Sequence, residues 1–237
     1  MSLTLALDTS TVAAVGLARG TELVASRRFD DTRAHVEQTT PLVTSVLAEV
    51  GHTLADVSRI VVGTGPGPFT GLRVGLATAE VLGLALGVPV RGVCSLDVLA
   101  TQAVAEGPLD GDFLVVTDAR RRELYWSRHD AAGRRTAGPE VGPAEVLPDL
   151  PVVGPGSALH PDPARRLGLA AVLDAGVMAC SADHLPDAGL EPLYLRRPDA
   201  TVPGRPKSTL VEPPRTARLS PPPAALRARR RPQDGER

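Results

Sequence analysis

The feature that most narrows what this chain can fold into is the stretch Val61–Leu76, VVGTGPGPFTGLRVGL. A β-branched run, Ile60-Val61-Val62, enters a loop dense in Gly and Pro, and helical spacing starts at about Phe69 or Thr70. Strand, glycine-rich turn and helix follow one another, which leaves unpaired backbone N–H groups at the head of the helix. The glycines at 63, 65, 67 and 71 let the backbone approach another surface closely, while Pro66 and Pro68 remove two donors and stiffen the loop. The composition fits a phosphate cradle or a tight protein contact. It is not a Walker A loop, because the closing Gly-Lys-Ser/Thr is missing and Lys207 is the first lysine in the chain. Nor does a G-x-G-x-x-G follow the first strand, as a dinucleotide fold requires.

The elements around this loop set the fold class. Leu3–Leu7 reads as a buried strand ending at Asp8. Val12–Ala18 and Leu23–Arg28 read as two further strands joined at Gly20-Thr21. Arg33–Val50 has helical spacing, with Pro41 expected to kink or restart it and Gly51 to end it. Arg59–Val62 is a strand, Thr70–Leu86 an apolar helix stopped by Gly87, and Pro89–Val93 a strand. Ser95–Ala105 is a helix with Ser95 as its N-cap. After a boundary at Gly107–Gly111 the pattern restarts, with strands at Phe113–Asp118 and Glu123–Arg128 around a basic turn, Arg120-Arg121-Arg122. Residues 130–151 are Gly/Pro-rich and poorly periodic. Pro151–Gly154 is a short strand, Ala164–Leu173 and Val177–Ala182 are predicted helical, and Leu193–Arg197 closes the ordered part. The order β-β-β-α-β-α-β-α, then a fainter second copy, predicts an α/β chain with an internal duplication.

Length permits one large domain or two small ones. The boundaries place a first lobe at 1–106, a smaller second lobe at 107–202 and a basic, Pro-rich tail at 203–237. The tail holds nine Lys/Arg, three Asp/Glu and eight Pro, against 17 basic and 24 acidic groups before it. It is expected to be disordered, either as a plain solvated segment or in contact with RNA backbone or an acidic partner. The net charge of −1 gives no general nucleic-acid footprint. Two distant cysteines, Cys94 and Cys180, fit a reduced cytoplasmic protein, and the first apolar run stops at Asp8, too early for a signal peptide. No apolar run of about 18 residues is apparent, so no membrane span is expected. None of the five histidines forms HxxxH or HExxH, and His35 reads as a cap or surface residue. No serine sits in a G-x-S-x-G elbow.

Three places carry candidate function. Asp8-Thr9-Ser10-Thr11, at the end of the first strand, has the residue types of a phosphate- or metal-binding turn and equally those of an ordinary turn. The cluster Asp118, Arg120, Glu123 and Tyr125 is a functional turn or a surface hairpin with an ion pair. The helix from Thr70 has Gly71, Gly75 and small residues at 77, 78 and 79. That small face admits a second helix, or packs on its own sheet.

Taken together, Leu5-Ala-Leu-Asp-Thr-Ser-Thr, Gly63-Thr-Gly-Pro-Gly-Pro-Phe-Thr-Gly-Leu-Arg-Val-Gly, Gly92-Val-Cys-Ser-Leu-Asp, Thr117-Asp-Ala-Arg-Arg-Arg-Glu-Leu-Tyr-Trp and Glu191-Pro-Leu-Tyr-Leu-Arg-Arg-Pro-Asp resemble the bacterial TsaB (YeaZ) family. The likeness spans about residues 3–200 in order; Pro68 stands where the family usually has Ser. The resemblance implies an actin/hexokinase/Hsp70-like (ribonuclease H-like) fold of two lobes, each a mixed sheet with flanking helices. It implies a non-catalytic scaffold or dimerisation subunit in t6A modification. There a complex places threonylcarbamoyl on N6 of adenosine 37 in tRNAs reading ANN codons.

The implied partners are a TsaD-like catalytic subunit, a TsaE-like ATPase and a second copy of the chain, with tRNA met indirectly and no membrane. No cofactor is required, with at most weak ATP/ADP and Mg at the complex interface. Asp8 to Thr11 would be a remnant nucleotide turn. Pro66, Gly67, Phe69, Thr70, Gly71, Arg73, Val74 and Gly75 would form the partner and dimer interface. The second-lobe hairpin would face the cleft between lobes. The catalytic paralogue carries HxxxH on its first long helix, and His35 has no partner four residues on. The rival expectation is an independent ATP-dependent transferase or peptidase-like enzyme of the same fold, with Asp8 holding Mg–ATP.

Overall fold

In the computed structural model of the chain, residues 2–29 and 35–196 are described, the side chains of 35–37 excepted. The expected helix start at Arg33, the side chain of His35 and the whole 203–237 tail lie outside them.

The first sheet grows from period-2 alternation. In β1 (Leu3–Asp8), Leu3, Leu5 and Leu7 point to one face and Thr4 and Ala6 to the other. It pairs antiparallel with β2 (Ala13–Arg19), which pairs antiparallel with β3 (Glu22–Phe29). On its other side β1 runs parallel to β4 (Val57–Gly63), and β4 to β5 (Val90–Val93), giving the order β3-β2-β1-β4-β5. The second sheet repeats the plan. β6 (Phe113–Asp118), β7 (Glu123–His129) and β8 (Arg135–Pro143) are antiparallel, and β9 (Val152–Val153) lies parallel on β6, in the order β8-β7-β6-β9. Three antiparallel strands followed by a parallel crossover, twice, is the two-lobed actin/hexokinase-like architecture, and the expected duplication is present in the topology.

The layers share their cores. Leu5, Leu7, Leu17, Ile60 and Val62 of the first sheet pack on α1 (His35–Glu49) and α2 (Phe69–Leu86) through Val43, Val46, Leu47, Leu76 and Ala79. On the opposite face Ala6, Ala14 and Ala18 meet α3 (Ser95–Glu106) and α4 (Ala175–Cys180). Small residues are required there, since a Cβ on Gly16 would lie 2.3 Å from the Ala175 backbone. Phe113, Val115 and Val153 of the second sheet join this same core. The helix pair α3/α4 is therefore sandwiched between the sheets, and Met1–Arg197 forms one compact unit. α3 belongs in sequence to the first lobe but packs on β6. α4 belongs to the second half but packs on β1–β3.

Four expectations need correction. Ser95 is not the cap of α3; Cys94 occupies that position with extended backbone, and the Ser95 hydroxyl is used elsewhere. Residues 130–151 contain a full strand, β8, whose alternation is hidden by Gly138, Gly142, Pro139 and Pro143. Ala164–Leu173 is not a helix. Only a 3-10 turn, Pro163–Arg165, forms there. Beyond it the chain runs beside β9, with Leu167 N–H donating to Val152 O at 3.1 Å and Gly154 N–H to Leu169 O at 2.9 Å. Side chains of α3 take two further amides, Glu106 accepting from Ala170 at 2.6 Å and Gln102 from Asp174 at 3.0 Å. These side-chain acceptors and the left-handed Gly168, at φ +72°, outcompete helix propensity. Finally, α2 is an 18-residue helix of mean hydropathy 1.4, long and apolar enough by composition to cross a membrane. Its inner side, Leu72, Leu76, Ala79 and Gly83, is committed to the sheet. α1, by contrast, runs uninterrupted through Pro41.

Candidate functional site: the Asp8 turn, the glycine loop and the outer face of α2

The two most distinctive motifs, more than 50 residues apart in sequence, fold against each other. β1 and β4 are parallel neighbours, so the Asp8 turn and the Gly/Pro loop leave the sheet at the same end. Asp8 is completely buried. Its Oδ1 accepts from the Ser10 N–H at 2.7 Å and the Ser10 hydroxyl at 2.6 Å, and its Oδ2 accepts from the Ser95 hydroxyl at 2.6 Å. Burial pushes its pKa up, opposed by the donors from Ser10 and Ser95. Gly63 is needed because a Cβ there would stand 1.8 Å from that carboxylate. The Thr9 hydroxyl donates to the Gly71 carbonyl at 2.7 Å, and a Cβ on Gly75 would lie 2.2 Å from the same hydroxyl oxygen. Pro66 and Gly67 are buried too, after a cis Gly65–Pro66 bond, with Gly67 against the Ser10 backbone. Thr11 is half-buried, and its hydroxyl finds no partner among the described residues.

Within the chain, the Gly/Pro loop and the head of α2 pack tightly against the Asp8 turn. The Asp8 carboxylate is buried and accepts three hydrogen bonds from Ser10 and Ser95 within the chain.

The predicted interface residues divide cleanly. Pro66, Gly67, Gly71 and Gly75 face inward, Val74 is half-buried, and Phe69, Thr70 and Arg73 are exposed. What the sequence reading missed is the remainder of the outer face. Thr70, Val74, Ala77, Val81 and Leu84 follow one another at spacings of four and three, the a/d seam of a helix that packs on another helix. Val81 is 65% exposed and Leu84 87%. At the head of this seam the Phe69 ring, 46% exposed, stacks on Tyr194 at 4.9 Å. The Arg73 guanidinium lies 3.9 Å from the Phe69 centroid and its Nε donates to the Tyr194 hydroxyl at 2.9 Å. With six aromatics in the chain, two of them stacked at the surface is a notable placement.

The second-lobe residues sit at the β6–β7 turn. Asp118 and Arg120 are exposed and form an ion pair at 3.2 Å. Glu123 pairs with Arg196, and Tyr125 is buried, its pKa raised by burial and by the Asp118 charge. Residues 193–196 tie this turn to the glycine loop. Leu193 N–H donates to Thr64 O at 2.9 Å and the Arg196 guanidinium to Ala119 O at 2.9 Å.

A buried polar cluster joins α3 to the second sheet, and no sequence motif announced it. The Ser127 hydroxyl is 2.8 Å from His129 Nε2, and Asp97 lies 3.9 Å from that nitrogen and 3.3 Å from Arg135 Nε. Burial, then the Arg135 charge, hold the His129 pKa down at about 4. Ser127 and His129 are wholly buried, so no substrate reaches this Ser–His pair. Among the described residues, no group of three His, Cys, Asp or Glu is placed to hold a metal ion.

Comparison with known proteins gives a consistent picture. The family profile described as TsaD, tRNA N6-adenosine threonylcarbamoyltransferase, matches residues 29–155. An uncharacterized protein of Mycobacterium tuberculosis is 46% identical over 208 residues, covering 84% of this chain and 94% of its own. The tRNA threonylcarbamoyladenosine biosynthesis protein TsaB of Escherichia coli is 28% identical over 218 residues, covering 81% and 94%. Among solved structures, YeaZ of Pseudomonas aeruginosa superposes with a TM-score of 0.68 at 30% identity, covering 82% of this chain and 100% of that one.

Proposed function

The chain belongs to the TsaB/YeaZ family, and on that premise we propose that it is the non-catalytic scaffold subunit of a t6A-forming complex. Its role in t6A biosynthesis follows from the family. The finer reading rests chiefly on one observation, the exposed a/d seam of α2 running from Thr70 to Leu84. In water that apolar ridge is unfavourable. Covering Val81 and Leu84 with a partner helix contributes about 1.5–3 kcal/mol for each side chain fully buried. The partner is a TsaD-like catalytic subunit; the TsaD family profile matches residues 29–155 of this chain, a range that includes α2. A second copy of this chain takes the same face when that subunit is absent. Phe69, Tyr194 and Arg73, the residue types that dominate binding energy at interfaces, form its anchor.

The non-catalytic part of the reading is supported at the Asp8 turn, where the carboxylate is spent on Ser10 and Ser95. The rival, an ATP-dependent or peptidase-like enzyme, needs an open acidic turn or an accessible nucleophile. A TsaE-like ATPase, indirect tRNA contact, a cytoplasmic location and at most weak nucleotide binding at the complex interface complete the proposal.

The test is co-purification of the TsaD-like subunit with this chain and with Val81→Glu/Leu84→Glu, followed by light scattering. A one-to-one complex lost in the variant, with an unchanged circular dichroism spectrum, is expected. A complex that survives both charges overturns the assignment of this face.

A further inference from the structure

α2 carries two charged residues in its 18, and both stand on the same flank of the exposed seam. Arg73 and Glu80 are seven residues apart, about 10.5 Å along the helix axis, and each immediately precedes a seam residue, Val74 or Val81. Both are exposed, and the positions three and four residues from each on α2 are uncharged, so neither finds a partner on its own helix. Glu80 has no hydrogen bond or ion pair among the described residues. Arg73 spends only its Nε, on the Tyr194 hydroxyl, and lies over the Phe69 ring. A guanidinium held in place by these contacts keeps its terminal nitrogens for a carboxylate. On the other flank of the seam the equivalent positions are Gly71, Thr78 and Ala85, all uncharged.

This arrangement makes the face complementary to itself. The seam from Thr70 to Leu84 is centred on Ala77, and Arg73 and Glu80 are centred on the same place. Two helices lying side by side bring opposite flanks together when parallel and the same flank together when antiparallel. A parallel pair of α2 helices would leave Arg73 and Glu80 against Gly71, Thr78 and Ala85. An antiparallel pair, related by a two-fold axis beside Ala77, sets Arg73 of each copy against Glu80 of the other, twice over. The same axis puts Val74 opposite Val81. It also carries the Leu84 side chain, 87% exposed, onto Thr70 and the Phe69 ring of the other copy. Ala77 is small enough for the backbones to approach closely at the axis.

We propose that Arg73 and Glu80 fix the orientation and register of a symmetric pairing between two copies of this chain, antiparallel along α2. The proposal rests on the reading of the α2 seam as a docking face. The apolar seam supplies most of the attraction, and the two charges select one arrangement from those it permits.

Sedimentation across a concentration series at low salt tests this with the full chain, Glu80→Arg, Arg73→Glu, and an equal mixture of the two variants. Each variant alone places like charges together twice and is expected to lose about tenfold or more in dimer affinity. In the mixture every contact again joins a carboxylate and a guanidinium, so dimers of the two variants are expected to form. The differences should shrink in about 1 M salt, where such charges are screened. Circular dichroism and melting temperature of Glu80→Arg are expected to match the unmodified chain, since Glu80 has no contact to lose. Variants that dimerise as well as the unmodified chain, or a mixture no better than its components, overturn the proposal. So does an unmodified chain that stays monomeric throughout. Val81→Glu/Leu84→Glu separates the two levels. A dimer that survives it overturns the seam reading, whereas a dimer lost in it but indifferent to the charge variants overturns only the pairing of Arg73 with Glu80.

Discussion

Replacing Gly75 by alanine adds one methyl group, and the structure says where it goes. The new Cβ would stand 2.2 Å from Thr9 Oγ1 and 3.3 Å from Thr9 Cβ. In an exposed helix the substitution is favourable by about 1 kcal/mol, because alanine loses less backbone entropy than glycine. Here Thr9 must rotate away, and its 2.7 Å bond to the Gly71 carbonyl breaks in a buried setting. The buried Thr9 hydroxyl, deprived of that acceptor, costs about 1–3 kcal/mol, since the Gly71 carbonyl keeps its helical partner, and overpacking costs about as much again. The crowding terms outweigh the propensity gain, so Gly75→Ala should destabilise by about 2 kcal/mol. Thr9→Ala removes the obstructing oxygen, leaving the added methyl only the 3.3 Å contact. The double variant should therefore be more stable than the two single effects summed, with a coupling of about 1–3 kcal/mol. Urea unfolding of the four proteins reads this directly. Additive effects, or a stabilised Gly75→Ala, would refute the packing of α2 glycines on the Asp8 turn. The same geometry makes Gly75→Arg a folding variant rather than a clean probe of association.

Other outcomes follow from the same contacts. Ser95→Ala deprives Asp8 of a 2.6 Å donor and the Gly65 amide of an acceptor at 3.2 Å, costing about 2 kcal/mol at neutral pH in chemical denaturation. Burial already raises the Asp8 pKa, so that cost should shrink on acidification as the carboxyl protonates. His129 has its pKa lowered from 6.5 to about 4, so as pH falls the unfolded chain takes up this proton first. Its contribution is complete above pH 6.5 and is lost between 6.5 and about 4, by about 3 kcal/mol in all. Asp97, whose pKa burial raises, slopes the other way, and the difference between the parent and His129→Gln isolates the histidine. An identical pH profile for the two proteins would contradict this assignment. Val81→Ser and Leu84→Ser should leave monomer stability within about 0.5 kcal/mol, because both side chains face solvent. A melting temperature lower by several degrees would show that the seam is already covered.

How much of this was legible in the sequence depends on the kind of residue. β1, β4, β6 and β7 are apolar runs whose neighbours are turn formers, and they stand within one or two residues of expectation. The first strand's Asp8 and the Gly/Pro loop were each visible as motifs. That they serve one another was not, because a parallel pairing between β1 and β4 brings them together across more than 50 residues. Ser95 looked like a cap because serine after a strand usually is one; its hydroxyl is instead drawn to a buried carboxylate. β8 escaped because glycine and proline mask alternation in an edge strand. The stretch after Pro163 has helical spacing but is held extended by Gln102 and Glu106, acceptors some 60 residues or more away. On α2 the glycines pack inward, while the exposed apolar seam lies on the opposite side. A 3.5-residue repeat over only five positions, two of them Thr and Ala, is weak until exposure is known.

The central claim is that this chain contributes to t6A formation as a partner through the outer face of α2, without chemistry of its own. Reconstitution tests it most directly: t6A formed on a tRNA transcript by the TsaD-like and TsaE-like proteins, supplied with threonylcarbamoyl donor. Product should appear when this chain is added, vanish with Val81→Glu/Leu84→Glu, and survive Asp8→Asn in proportion to the folded protein remaining. Activity of this chain alone, or full activity with the doubly charged seam, would contradict the account.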